Sequence, residues 1–216
     1  MNPYLTRHFV RIGLLAAGLA TAATAGPAQA ASSVAVIGDG ARTTANHRHH
    51  IEYHDTFAVH QLGSVLAARV ANHADATSAG CTADDACRSV ALSFQIVTLS
   101  GENVRLNAIN KGHALNDHCT GCQTLAGAYQ FVVSTAHPTR LTPDAQRQLD
   151  GIHRRLDDLG RSRLPAADLK RKADALAAEV TALLSRPTSL TPTTAHTAAV
   201  RPAVQVHRHL DGWPGH

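Results

Sequence analysis

The chain has 216 residues, of which 4% are aromatic and 17% charged, and it carries a formal net charge of +4. At roughly 100–200 residues per domain, that length holds one domain with long tails or two small ones. So few aromatic side chains leave little material for a deep apolar catalytic cleft, and 17 Arg against 3 Lys reads as codon bias rather than a nucleic-acid surface.

Residues 1–30 read as a secretory signal peptide. Arg7 and Arg11 stand there without an acid, an apolar run follows from Ile12 to Thr24, and Pro27 precedes the small-residue site Ala28-Gln29-Ala30. The run is about 13 residues, whereas crossing a bilayer takes about 20, which argues against an anchor. The mature chain is expected to begin near Ala31, to contain no transmembrane segment, and to be secreted and extracellular.

Residues 31–54 show no sustained period and are predicted as a flexible, His-rich lead-in. From Asp55 to about Ala74, Val59, Leu62, Val65, Leu66, Arg69 and Val70 recur at threes and fours, which predicts a helix capped by Asp55 or Thr56. A small-residue stretch then leads to the cysteines.

An internal repeat dominates the centre of the chain. Residues 87–97 read CRSVALSFQIV and residues 122–132 read CQTLAGAYQFV. Cys87, Ala91, Gln95 and Val97 recur 35 positions later as Cys122, Ala126, Gln130 and Val132. The β-branched and aromatic content favours strands over helices. Ala108, Gly112 and Leu115 between the copies are spaced for a short crossover helix, which would make the strands parallel. Two copies are fewer than a solenoid needs, so a duplicated supersecondary element is expected.

Thr142 and Pro143 mark a helix start. Ala145, Leu149, Ile152, Leu156 and Leu159 then follow at heptad spacing up to Gly160, and after Pro165 the spacing returns in Leu169, Ala173, Leu176, Val180 and Leu183. This predicts an antiparallel helical hairpin over 143–185, its apolar stripe packed on the sheet. The Thr-, Pro-, Ala- and His-rich residues 186–216 are predicted as a disordered tail. The expected fold is α+β: a disulfide-stabilised domain over 55–185, with a small sheet from the duplicated strand, a crossover helix, the helical hairpin and disordered tails.

The pattern Cys87, Ala91, Gln95, then Asn110, Ala114, Asn116, Cys119, Cys122, Ala126, Tyr129 and Gln130, then the helical pair, resembles a group of secreted proteins of high-GC Gram-positive bacteria. The Cys-x3-Ala-x3-Gln segments are also similar to segments of proteins named as peptide zinc metalloproteases. The resemblance implies no zinc-peptidase site, because no His-Glu-x-x-His occurs in the chain.

Four cysteines, Cys81, Cys87, Cys119 and Cys122, are expected to form two disulfides outside the cytoplasm. Parallel neighbouring copies would pair Cys87 with Cys122 and Cys81 with Cys119. The local alternative joins Cys81 to Cys87 and Cys119 to Cys122. Cys119-Thr-Gly-Cys122 also has redox spacing, and four thiolates would suit structural zinc. A second cluster, His47, His49, His50, His54 and His60, offers imidazoles for zinc, copper or nickel against the alternative of a solvated His-biased segment. Gln95 and Gln130 either bond each other on equivalent strands or form a polar recognition site. No catalytic residues are assigned: Ser64 lacks a nucleophile elbow, and no triad or paired carboxylates are complete. The expected function is that of a secreted, non-catalytic interaction or envelope-associated protein whose partner is a protein or envelope component, not nucleic acid. The alternatives are an extracellular His-rich metal-binding protein and, behind it, a thiol-dependent or other enzyme.

Overall fold

The computed structural model describes residues 33–193 and 200–213. The expected leader and cleavage site lie outside these residues. From Ser33 the chain alternates strictly in exposure. Ala41, Thr43 and Ala45 are buried while Arg42 and Thr44 face solvent, so Ser33–Asn46 is a strand, β1, with one face covered. The next strand, β2 (Ile51–Ala79), is 29 residues long and belongs to two layers. Its register with the following strand breaks between Gln61 and Ser64, and Gly63 there takes a φ of 67°, a conformation that glycine adopts without strain. Before this bend β2 pairs in parallel with β3 (Arg88–Ser100); after it, β2 pairs in parallel with β1 and with β4 (Arg105–Asp117).

The chain therefore winds. Asn46 lies beside Ala79, Ile51 beside Arg88, Ala67 beside Arg105, and Arg88 beside Gln123 of β5 (Gln123–Thr135). Each turn of the winding takes 33 to 38 residues by these pairings. An outer layer (β1, second half of β2, β4) and a middle layer (first half of β2, β3, β5) are visited alternately, in the manner of a flattened solenoid. β6 (Thr139–Leu141), helices α1 (Pro143–Arg161) and α2 (Ala166–Leu184), a 3-10 turn (Pro187–Ser189) and β7 (Leu190–Pro192) follow. β8 (Ala203–Gly212) returns to lie antiparallel on β5.

Three packing zones hold the layers together. On the helix side of the middle layer, Val90, Leu92, Phe94 and Ile96 of β3 and Leu125, Tyr129, Phe131 and Val133 of β5 meet the apolar stripes of α1 and α2. The Phe94 and Tyr129 rings pack at a tilt of 34° with centroids 4.5 Å apart. Between the two strand layers one zone is filled by small side chains, Ala41, Ala74, Ala76, Ala91, Ala126 and Ala128, and a second by the larger Val65, Val70, Val97, Leu99 and Val132. Small side chains let the layers approach closely, and polar ones bridge them.

The α+β expectation is corrected: 57% of the described residues are strand and 23% helix, with a mixed six-stranded sheet in place of a small one. The helix expected from Asp55 to Ala74 is strand β2. The apolar spacing that suggested it straddles the bend, where the inward-facing positions change parity. The crossover helix between the repeats is strand β4, whose inward Asn110, Gly112 and Ala114 are too small and polar to register as an apolar face. Strands also replace the lead-in from Ser33 onward, and β7 and β8 occupy part of the expected tail. The repeat does form parallel neighbouring strands, aligned Gln95 to Gln130, but as two of nearly three windings, the first of which does not share the repeated sequence. The two long helices fall where the heptad spacing places them, and Thr142 caps α1 by accepting from the Ala145 amide at 3.2 Å. No helix among the described residues is long and apolar enough to cross a membrane.

Candidate functional site

Strand alternation places Asp39, Asn72 and Asn110 in one inward row of the outer layer, and Gln95 and Gln130 in an inward row of the middle layer. These rows interlock. Gln130 Nε2 donates to Gln95 Oε1 at 2.7 Å, and Gln95 Nε2 donates to Asp39 Oδ2 at 2.7 Å and to the Ala71 carbonyl at 2.8 Å. His60 Nε2 lies 2.7 Å from the same Asp39 oxygen. Asn72 donates to Asn110 Oδ1 at 2.9 Å and accepts from the Ser93 hydroxyl at 2.6 Å. The result is a buried polar column along the winding axis. Gln95 and Gln130 are fully buried and bonded to each other, leaving no exposed atom to offer a partner.

The cysteines gather at one end of the windings. The disulfides are Cys81–Cys87 and Cys119–Cys122, which corrects the long-range pairing. Cys87 and Cys122 do precede neighbouring strands, and the Cys87 amide donates to Cys122 Sγ at 3.3 Å. Each sulfur nevertheless turns to the partner within its own connecting loop. The sulfurs of Cys81, Cys119 and Cys122 lie within 4.8 Å of one another, so the two bridges stack on successive windings. All four sulfurs are engaged in these two bridges.

The histidines disperse. His47, His49 and His50 occupy the tight connection between β1 and β2, where His49 lies 3.7 Å from Glu52 and His50 lies 2.8 Å from Asp85. His54 and His60 sit six residues apart on one strand, roughly 20 Å at about 3.3 Å per residue. Among the described residues, Cys81, Cys119 and Cys122 are the one group whose ligand atoms converge.

Sequence reasoning missed the solvent face of the outer layer. In register across the three strands stand Ala67 with Arg105, Arg69 with Asn107, His73 with Lys111, and Arg42 with Asp75 and His113. Arg69, Arg105 and Lys111 have no ion-pair partner among the described residues; Asp75 is the acid set among these cations, 3.5 Å from Arg42. Gly38 and Gly40 leave this face bare beside the cations. Around Gly40, Arg42, His73 and Asp75 lies a shallow depression of about 470 Å³. A Cβ at position 40 would meet the His73 carbonyl at 3.0 Å, so glycine keeps the two strands in close contact there. Strand parity is the signal that finds this face. Arg69, His73, Lys111 and His113 are separated by even intervals within their strands, a pattern hidden once those segments are taken as helices.

No protein-family model, curated protein or solved structure matches the chain.

Proposed function

We propose that the chain is a secreted, non-catalytic interaction module that docks on an anionic polymer of the cell envelope through the solvent face of the outer layer. The observation that supports this reading is the set of cations, Arg69, Arg105 and Lys111, without ion-pair partners among the described residues and held on one sheet face, with Asp75 set among them and Asp117 at the far end of β4. Strands lie about 4.8 Å apart and alternate residues about 6.6 Å apart along a strand. This fixes a grid of positive charge that suits a linear polymer with repeating phosphates or carboxylates. Rigidity from the polar column and the two disulfides means little ordering is left to be done on binding.

Retention of the protein on immobilised poly(glycerol phosphate), with uncharged dextran as control, tests the reading. Binding is expected to fall steeply with salt and to drop at least tenfold in Arg69→Ser/Arg105→Ser/Lys111→Ser. Equal binding by the triple variant overturns the proposal. Preferential binding to duplex DNA in the same assay also overturns it and assigns the face to nucleic acid.

A further inference from the structure

The two ends of the windings are built differently. At the last winding, β8 closes the middle layer by lying antiparallel to β5. Asp211 of β8 accepts from the Ala114 amide of β4 at 2.8 Å, and Lys170 of α2 donates to the Gly212 carbonyl at 2.8 Å. At the first winding, β1 and the first half of β2 each pair on one side only among the described residues. β1 has 14 residues, so its open edge is roughly 46 Å long. Neither open segment contains Pro or Lys, the residues that usually guard exposed strand edges. Of the seven large apolar side chains exposed among the described residues, four lie on this winding: Val34 (71%), Val36 (75%), Ile51 (56%) and Val59 (38%). The buried polar column also runs out here, at Asp39 and His60.

We infer that the first winding is a self-association surface, on which a second copy of the chain docks by two-fold symmetry. Shape decides the occupant. The two open edges lie in separate layers about 10 Å apart, so one added peptide strand satisfies only one of them. An identical winding presents two edges at the same separation. A two-fold axis perpendicular to the layers sets β1 antiparallel to its counterpart, and the first half of β2 antiparallel to its own. The footprint, about 46 Å by about 20 Å with side chains, is roughly 900 Å² per copy, close to the ~800 Å² per partner of a stable interface. A two-fold contact uses the same surface on both copies, so association through the first winding stops at two. The pair joins two outer layers into one six-stranded face, doubling the array of cations available to a repeating polymer.

Sedimentation equilibrium of the disulfide-intact secreted chain tests the inference. A particle of twice the chain mass is expected at micromolar concentration; a monomer, or a ladder of higher oligomers, overturns it. Val36→Lys combined with Val59→Lys places like charges on both edges and is expected to weaken association at least tenfold while circular dichroism stays unchanged. Undiminished association in that variant also overturns the inference. Amide hydrogen exchange on the unaltered chain gives a readout that does not depend on the variant folding. Exchange over residues 34–44 and 52–62 is expected to slow as concentration rises, and exchange independent of concentration refutes the two-fold docking.

Discussion

Gln130 donates through Nε2 to Oε1 of Gln95 across 2.7 Å, and neither side chain has exposed surface. The pair sits at equivalent positions of the repeat, so one amide's acceptor meets the next amide's donor along the winding axis. Leucine has a similar volume but no polar atoms. Gln95→Leu strips Asp39 and Gln130 of a partner and is expected to cost about 1–3 kcal/mol, or roughly 2–4 °C per kcal/mol in a domain of this size. The double variant Gln95→Leu/Gln130→Leu should cost less than the sum of the singles, because no orphaned amide remains. Chemical denaturation of the four proteins measures this directly.

Gly160 of α1 lies under the Tyr53 ring, where a Cβ would fall 1.7 Å from Cε2. Alanine normally stabilises a helix interior by about 1 kcal/mol over glycine. Here the sign reverses. Gly160→Ala must displace Tyr53 and break its hydroxyl's bond to the Leu156 carbonyl, 3.1 Å long, so a net loss of about 1–3 kcal/mol is expected. Thermal melts of the single variant check it; a raised melting temperature would show that the ring moves freely.

Tyr53 and Tyr129 are both pushed above the ordinary tyrosine value of 10.0, each first by burial. The neighbouring Asp55 and Asp157 add to the effect at Tyr53, and the hydrogen bond to Asp174 adds to it at Tyr129. A raised phenol favours the folded state below pH 10, and that contribution is lost as pH climbs above 10 because the unfolded chain releases protons first. Ultraviolet titration should therefore show no tyrosinate from either residue until the fold collapses in alkali. A smooth titration near pH 10 with circular dichroism intact would contradict the burial of both rings.

The two disulfides close loops with sequence separations of 6 and 3. Such short rings remove little freedom from the unfolded chain, about 2 kcal/mol each by loop entropy. Non-reducing peptide mapping is expected to find Cys119 and Cys122 linked within one peptide and Cys81 linked to Cys87. The variant Cys119→Ser/Cys122→Ser should remain folded, with only a modest fall in melting temperature.

The helices were legible because their buried positions, Leu149, Ile152 and Leu156 in α1 and Leu176, Val180 and Leu183 in α2, are large and separated by threes and fours. β3 and β5 were legible for a similar reason, since Phe94, Ile96, Tyr129 and Phe131 are β-forming and recur at a fixed offset. The outer layer was not. Many of its inward residues are small or polar, as Ala76, Ser78, Asn110, Gly112 and Ala114 are, and apolar periodicity reads the first two as linker and the stretch around Gly112 as a short crossover helix. Strand-on-strand packing at close range selects those small residues, so this part of the interlayer interior carries the composition of a loop, beside the Val- and Leu-filled part around Val70 and Val97. Gly160 misled in the opposite way: it read as a helix stop, yet α1 continues through it to Arg161 and uses its bareness to seat Tyr53. The basic face followed the fate of its strands. Its cations became a set only once β2 and β4 were known to lie side by side.

One strand serves both layers, and this has a mechanical consequence. β2 runs parallel to β3 before its bend and parallel to β1 and β4 after it. Tension applied along β2 therefore loads three ladders in shear, so that many hydrogen bonds must yield together rather than opening one by one from an end. Neither layer can peel away while β2 stays threaded through both. A protein tethered at a wall under turgor or flow would resist extraction through this single strand, and a cut at the Gly63 bend would remove that resistance without touching the outer face.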